Sequence, residues 1–232
     1  MTTRKFRSRE YTLRRTKRDT IGIYVKDGAI EVRAPDNAML YEIESFIAEK
    51  ENWIDKKIES TGALKTQRDN FILNYGSRIL LRGASYPICA KEGDVAGFDG
   101  EKIYMPANLT PQQIKKVCVL FYKHHARNYL IKRTKQIAEH IAFIISDVRV
   151  NSSKGRWGSC SKKKVINLSW RLILAEDDVI DYVIMHELAH TIKMNHSELF
   201  WSVVEIYLPD YKERKKRLKD LQLRLRGEDW DT

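Results

Sequence analysis

Residues 186 to 190 of this chain read HELAH, two histidines four positions apart with a glutamate directly after the first. On an α-helix, residues four apart lie on one face, so His186 and His190 would project side by side and can bind one metal ion. Glu187 would stand about 100° further round the helix axis. The spacing therefore predicts two metal ligands with a carboxylate beside them.

A third ligand is needed, because a catalytic zinc ion takes three protein ligands and leaves the fourth position to water. His196 is the first candidate, since its distance along the chain from the second histidine equals that in the motif HExxHxxGxxH. That motif ends its helix at a glycine, where this chain has Lys193. We predict instead that the helix ends near Met194 and Asn195, because asparagine tolerates a left-handed conformation. Glu205 is either the alternative ligand, as in thermolysin-like enzymes, or a residue that orients His196.

The segment before HELAH predicts a buried helix. It begins with three acidic residues, which favour a helix amino terminus, and continues with VIDYVIM, which is apolar on almost every side. Histidine and glutamate side chains inside such a helix are costly unless they are paired or bound to metal. Burial therefore favours metal ligation over a chance match to the motif.

The chemistry that this site predicts is amide hydrolysis. Zinc lowers the pKa of a bound water toward about 7. Glu187 is then the natural general base on the zinc-bound water, and it can pass the proton to the leaving amine. Tyr207 or Arg156 is a candidate donor to the oxyanion by residue type alone.

The residues before the acidic segment predict two strands joined by a glycine- and serine-rich turn. Apolar side chains alternate in the second strand, at Ile166, Leu168, Trp170 and Leu172. A strand beside a metal cleft can hold an extended peptide through backbone hydrogen bonds. Arg156 and Trp157 in the turn either line this cleft or belong to a packed turn.

The amino-terminal half predicts a β-rich region with one helix. Asp27 and Gly28 lie between two alternating segments and indicate a β-hairpin. Helical spacing of apolar residues predicts one amphipathic helix over residues 37–60. The polar residues 61–70 suggest a linker, and short strands are predicted from 71 to 109.

A long helix is predicted from Pro111, with Thr110 as its cap. Its charged residues are almost all basic, which indicates either a solvated face, the interpretation we favour, or a stripe that faces phosphates. The whole chain has a net charge of +11, which is typical of proteins that bind polyanions. Nucleic acid is therefore a candidate partner, through the basic termini and this helix.

Composition limits the class of protein. With 232 residues, 43% hydrophobic and 31% charged, the chain is long and apolar enough for a globular core. No apolar run approaches the roughly 20 residues of a membrane helix, so no membrane partner is expected. Three widely spaced cysteines and the lack of a secretory signal favour the cytoplasm.

Five segments carry a family resemblance: GRWGSC, INLSWRLIL, VIDYVIMHELAH, MNHSELFW and LPDYKERKKRL. In this order they resemble the YgjP-like metallopeptidase family, whose members are metal-dependent hydrolases. The resemblance extends more loosely over nearly the whole chain and implies zinc on His186, His190 and His196, with Glu187 as catalyst. The chain also looks distantly similar to SprT-like proteases, some of which act on DNA-bound proteins.

The expected fold is α+β, a zincin-like catalytic unit in which the HExxH helix packs on a small sheet. We place the β-rich region at residues 1–108 and the catalytic domain at 109–232. The expected function is a zinc-dependent metallopeptidase that hydrolyses peptides or proteins. The alternative is a nucleic-acid-binding or scaffold protein with a structural zinc ion. Glu187 favours the enzyme, because a structural zinc site needs no carboxylate beside its first ligand and is usually closed by four protein ligands.

Overall fold

A computed structural model describes residues 1–231 and divides them into two compact units. The first unit comprises Met1–Phe71 and Arg226–Asp229. The second comprises Ile72–Leu225 together with Trp230 and Asp231. Both units combine helices with small sheets, so the predicted α+β class is confirmed.

The first unit is built on a four-stranded sheet. Its strands are β1 (Thr2–Phe6), β2 (Arg9–Arg15), β3 (Gly22–Lys26) and β4 (Ala29–Ala34), in the order β1-β2-β4-β3. The predicted hairpin is confirmed, since β3 and β4 pair antiparallel on either side of Asp27 and Gly28. These two residues have φ angles of 51° and 83°, as a two-residue hairpin turn requires.

Two helices complete the first unit, α1 (Leu40–Glu49) and α2 (Glu51–Asp69). The predictions of one helix over 37–60 and of a linker over 61–70 were therefore wrong. The helices meet at Lys50, whose φ of −94° and ψ of 10° interrupt the helical geometry. Residues 61–69 stay helical because they contain no proline, and polar residues such as lysine, glutamine and arginine are good helix formers.

The second unit begins with a four-stranded sheet. Its strands are β5 (Arg78–Leu81), β6 (Ala84–Lys91), β7 (Gly97–Phe98) and β8 (Ile103–Pro106), in the order β5-β6-β8-β7. The long helix α3 (Pro111–His140) follows and begins where it was predicted. Thr110 and Gln113 form its capping box, in which the Gln113 side chain accepts a hydrogen bond from the Thr110 amide at 2.8 Å.

A three-stranded sheet lies next in the chain, with strands β9 (Asp147–Asn151), β10 (Gly158–Cys160) and β11 (Val165–Ser169) in the order β10-β11-β9. Strand β11 pairs parallel with β9 and antiparallel with β10, so it has no free edge. The predicted strand to Leu172 was wrong at its end, because Trp170–Leu174 form a 3-10 turn. Leu172, Ile173 and Leu174 are all buried there, which a strand with one solvated face would not allow.

Three helices complete the second unit: α4 (Asp177–Ala189), α5 (Glu198–Tyr207) and α6 (Tyr211–Leu225). Helices α5 and α6 are separated near Pro209, as predicted. None of the helices within residues 1–231 has the length and hydrophobicity that a membrane span requires.

Ion pairs fix the acidic start of α4. Asp177 accepts a hydrogen bond from Arg82 at 2.7 Å and another from the Tyr129 hydroxyl at 2.9 Å. Asp181 is held in a bidentate pair by Arg133 of α3 at 2.7 and 2.6 Å. Bidentate guanidinium pairs fix orientation as well as distance, so they help to set the position of the HExxH helix.

The sheet from β5 to β8 groups with the second unit, whereas the sequence placed a domain boundary after residue 108. Two backbone hydrogen bonds connect this sheet to the segment before α4, from Arg82 N to Ile173 O at 2.8 Å and from Gly83 N to Leu174 O at 3.2 Å. Compact units need not coincide with functional domains, so the boundary at 108 stays a prediction.

Candidate metal centre

Three histidines converge at the end of α4. Their potential ligand atoms lie within 4.8 Å of one another, and the Nε2 atoms of His186 and His196 are 3.1 Å apart. Histidine, cysteine and acidic side chains are the residue types that could bind a metal ion. Among those within residues 1–231, the three histidines form the group that is compact enough to do so. The structure therefore brings together the three residues that the sequence predicted as ligands.

The turn after α4 brings His196 close to the two helix histidines, although it lacks the glycine of the HExxHxxGxxH motif. Helix α4 ends at Ala189, so the predicted end near Met194 was wrong, and Asn195 does not take a positive φ. A tight turn follows instead, in which the amides of residues 191 to 193 bond to the carbonyls of residues 188 and 189 at 2.9 to 3.0 Å. Short-range hydrogen bonds thus replace the left-handed residue that we expected.

The imidazoles are suited to bind a cation. Burial lowers the pKa of His186 to about 3 and also lowers that of His190, so both are neutral near pH 7. The Nδ1 of His190 lies 3.0 Å from the carbonyl oxygen of Lys193; donation of its proton there leaves the Nε2 lone pair free. The Nε2 atoms of His186 and His196 are 3.1 Å apart, so one cation can accept the lone pairs of both. The donor set therefore fits a divalent metal such as zinc.

Aromatic side chains enclose the histidines on the α5 side. Phe200 is fully buried, and its ring centroid lies 4.5 to 4.9 Å from those of the three imidazoles. Trp201 lies 5.8 Å from His186 and His196 and stacks on Tyr211. This apolar wall restricts the rotamers of the imidazoles and lowers the local polarity.

Glu187 is buried beside the histidines, with 5% of its surface exposed. Burial raises the pKa of its carboxyl group to about 7, and the positive charge of Arg156 opposes this shift. A carboxylate with a pKa near neutrality has the basicity that proton transfer at physiological pH requires. A divalent cation nearby would shift this pKa downward, because it favours the charged form.

Gly158 of strand β10 packs directly against this carboxylate. A Cβ atom at Gly158 would lie 2.6 Å from both Cγ and Oε1 of Glu187, which is too close for any real contact. The sequence analysis did not identify this residue. The sequence placed it in the glycine- and serine-rich turn between two predicted strands, whereas it begins strand β10, so the prediction of a turn at this residue was wrong. Its contact with Glu187 joins residues that are distant in the chain, which no local sequence signal reveals.

The remaining predicted site residues lie outside the histidine group. Glu205 is exposed on α5 and is not among the residues that converge. Tyr207 is 41% exposed, and its ring centroid lies 5.6 Å from that of Phe143.

The two predicted residues before strand β10 are also separate from the histidines. Arg156 is exposed and acts on Glu187 through its charge. Trp157 is half-buried, and its carbonyl accepts the Ser169 amide at 2.8 Å.

Comparison with known protein families matches residues 19–221 to the YgjP-like, metallopeptidase domain. The chain belongs to the YgjP-like metallopeptidase family. It is accordingly a metal-dependent hydrolase whose substrates are peptides or proteins, and the histidine group is where a divalent metal can bind. Among curated proteins no sequence matches.

Among solved structures, this YgjP-like peptidase is similar to the crystal structure of the metallopeptidase zymogen of Pyrococcus abyssi abylysin. The two share 26% sequence identity, and the TM-score is 0.31. The likeness covers 43% of this chain and 90% of the other.

Proposed function

We propose that this chain is a zinc-dependent peptidase in which His186, His190 and His196 hold the ion and Glu187 is the general base. The convergence of three imidazoles beside a buried carboxylate is the observation that carries this proposal. Zinc is favoured over other divalent ions by its preference for nitrogen ligands and by the three-histidine donor set of known catalytic zinc sites.

Bound zinc would supply Lewis acidity to an attacking water and to the peptide carbonyl. The Glu187 carboxylate accepts the proton that the water loses and returns it to the nitrogen of the leaving amine. The amide C–N bond breaks, a C–O bond forms, and one water is consumed for each bond cleaved. Phe200 and Trp201 pack against the imidazoles and restrict their rotamers, while His196 stays open to solvent, from which the attacking water can come.

The outer edge of strand β10 is the proposed docking site for the substrate backbone. Residues 157 and 161 bond to β11 through Trp157 O and Ser161 N, at 2.8 and 3.0 Å. Antiparallel strands alternate between residues that bond to the neighbour and residues that do not. Gly158 and Cys160 therefore direct their amides and carbonyls away from β11, and within residues 1–231 no second strand pairs with β10.

An extended peptide can add to this edge, because backbone hydrogen bonds give affinity that depends little on side chains. Gly158 packs against Glu187, so a peptide on β10 would run close to the general base. The sequence analysis assigned such a role to the strand with Trp170. That strand, β11, is paired on both sides, so β10 replaces it in the proposal.

A Glu187→Gln substitution tests the catalytic assignment. The amide keeps the size of the side chain but cannot accept the proton, so we expect bound zinc to be unchanged and peptide hydrolysis to fall about 10²- to 10⁴-fold. Zinc content is measured by atomic spectroscopy and hydrolysis with an unstructured fluorogenic peptide. Glu213→Gln, the same change at an exposed glutamate of α6, is the control and should retain activity. Undiminished hydrolysis by Glu187→Gln would refute the assignment.

Replacement of the third ligand tests the metal site. His196→Ala should weaken zinc binding by more than about a hundredfold, since even residues that only orient a ligand contribute 10- to 100-fold. His140→Ala removes an exposed imidazole from the end of α3 and should leave zinc affinity unchanged. If Glu205→Gln weakens zinc binding and His196→Ala does not, Glu205 is the ligand and our choice is wrong.

The basic composition predicted nucleic acid as a possible partner, but neither the family match nor the fold supports such a partner. Arg133, part of the basic series on α3, is paired with Asp181. The second hypothesis, a structural zinc ion, is less favoured because the described group has three ligands rather than four. Nucleic-acid binding, the likeness to SprT-like proteases and a cytoplasmic location stay predictions.

A further inference from the structure

Trp230 is buried in the second unit, with 5% of its surface exposed. Its ring lies edge-on to Tyr122 of α3, with centroids 5.3 Å apart. Tyr122 in turn stacks on Trp170, at 5.7 Å and an interplanar angle of 14°. A buried tryptophan removes a large apolar area from water, so this three-ring cluster is a firm attachment for the chain at residue 230.

The neighbouring residue, Asp231, links two segments near strand β10. Its carboxylate pairs with Lys154, in the loop before β10, and with Arg171 at 3.4 Å. Arg171 also donates a hydrogen bond to the carbonyl of Ser152 at 3.3 Å. One carboxylate thus holds the loop directly through Lys154 and indirectly through Arg171.

Residues 152–157, which we call the β10 loop, are held on their other side by Ser169. The Ser169 hydroxyl donates to the carbonyl of Ser153 at 2.7 Å, and its amide donates to that of Trp157 at 2.8 Å. The next residue is Gly158, which contacts the Glu187 carboxylate. A shift of the β10 loop would therefore move the strand that lies against the general base.

We propose that Trp230 and Asp231 are positioning residues, which fix the β10 loop and through it the substrate-binding edge of strand β10. The proposal rests on the function proposed above for β10 and Glu187. Both residues lie beyond residue 221, where the family match ends. Membership of the family therefore does not predict this role.

The two residues contribute differently. Lys154 and Asp231 have 64% and 56% of their side chains exposed, so their ion pair contributes little to global stability. Trp230 supplies the attachment, because its ring is buried. Asp231 sets the position of the loop, because two cations from different segments meet at its carboxylate.

The test compares Trp230→Ala, Trp230→Phe and Asp231→Ala in the full chain, with Asp220→Ala as the control. The control removes the same charge from the exposed surface of α6. Measurements are kcat and KM with an unstructured peptide, bound zinc, the thermal midpoint, and amide hydrogen exchange of residues 152–160. Exchange needs no activity, so it reports on the loop even if the proposed function is wrong.

We expect Asp231→Ala to raise KM about two- to fivefold, the size of one exposed ion pair, with kcat, zinc content and the thermal midpoint little changed. Trp230→Ala should raise KM further, and Trp230→Phe should restore it because an aromatic ring still faces Tyr122. Exchange of residues 152–160 should accelerate in both alanine variants and not in the control. Because Trp230→Ala removes a core ring and can unfold the unit, Asp231→Ala decides the result in that case.

Exchange at the wild-type rate in Asp231→Ala would overturn the inference. So would faster exchange with an unchanged KM, since the loop would then not position the substrate edge. If the wild-type chain with bound zinc hydrolyses no peptide, the proposed function fails instead, and the exchange result still decides whether the two residues hold the loop.

Discussion

Glu187 is the residue whose surroundings decide whether this site can perform catalysis. It is buried, it is held close to the histidine group by the helix itself, and the backbone of Gly158 packs against it. A carboxylate in this setting has few alternative positions. Orientation of a general base to within a fraction of an ångström is worth orders of magnitude in rate, so a small intrusion at Gly158 should be costly.

Gly158→Ala should therefore lower kcat about a hundredfold while zinc content is retained, because the new Cβ must displace the Glu187 side chain. Gly155→Ala is the matched control. It lies in the β10 loop, just before Gly158 in the chain, and its added Cβ would meet no atom within 4 Å. Steady-state kinetics and zinc analysis of both variants test the prediction. Equal activity of the two would mean that the contact does not constrain the base.

The sequence was sufficient to predict the histidine group, because two of its members follow from helix periodicity and the third lies close in the chain. It was not sufficient to predict the contact of Gly158 with Glu187, which depends on how strand β10 packs against α4. The turn after Ala189 was also mispredicted. Its amides find short-range carbonyl partners, and no sequence rule distinguishes that arrangement from a left-handed cap at Asn195.

At the scale of elements, the sequence predicted helix starts and turns correctly where a residue type strongly prefers one backbone position. The capping box at Thr110 and the turn at Asp27 and Gly28 are such signals, and both elements are confirmed. Polar composition is weaker, since exposed helices and linkers share it. Residues 61–69 were therefore predicted as a linker, whereas they are the second half of helix α2.

Gly62 provides a test of this helix. It lies inside α2 without a positive φ, and a Cβ there would meet no atom within 4 Å. Gly62→Ala should raise the free energy of unfolding of the helix by about 0.5–1 kcal/mol, because alanine loses less backbone entropy than glycine in a helix. Amide hydrogen exchange of α2 at increasing urea concentration measures this change.

The control for this prediction is Gly28→Ala in the hairpin turn. An added Cβ there would also meet no atom within 4 Å, but the φ of Gly28 is +83°, so the same substitution should destabilise its own turn. No stabilisation of α2 by Gly62→Ala would indicate that these residues are not a stable helix in solution, and the linker prediction would be restored.

At the scale of the whole molecule, we expect the second unit to fold without a metal ion. Its largest buried side chains are aromatic and aliphatic, among them Trp170, Tyr122 and Phe200. A domain of roughly 150 residues buries about 70% of the surface of its unfolded chain, which leaves no need for a metal to complete the core. Metal binding should therefore stabilise the fold only to the extent that zinc binds the native state.

A chelator titration followed by peptide hydrolysis and far-UV circular dichroism on the same samples tests the central claim most directly. We predict that hydrolysis falls to background as zinc is removed, that the dichroism spectrum is unchanged, and that added zinc restores activity. Loss of the spectrum in step with zinc would identify a structural ion. Hydrolysis that persists in the metal-free protein would contradict the metallopeptidase mechanism.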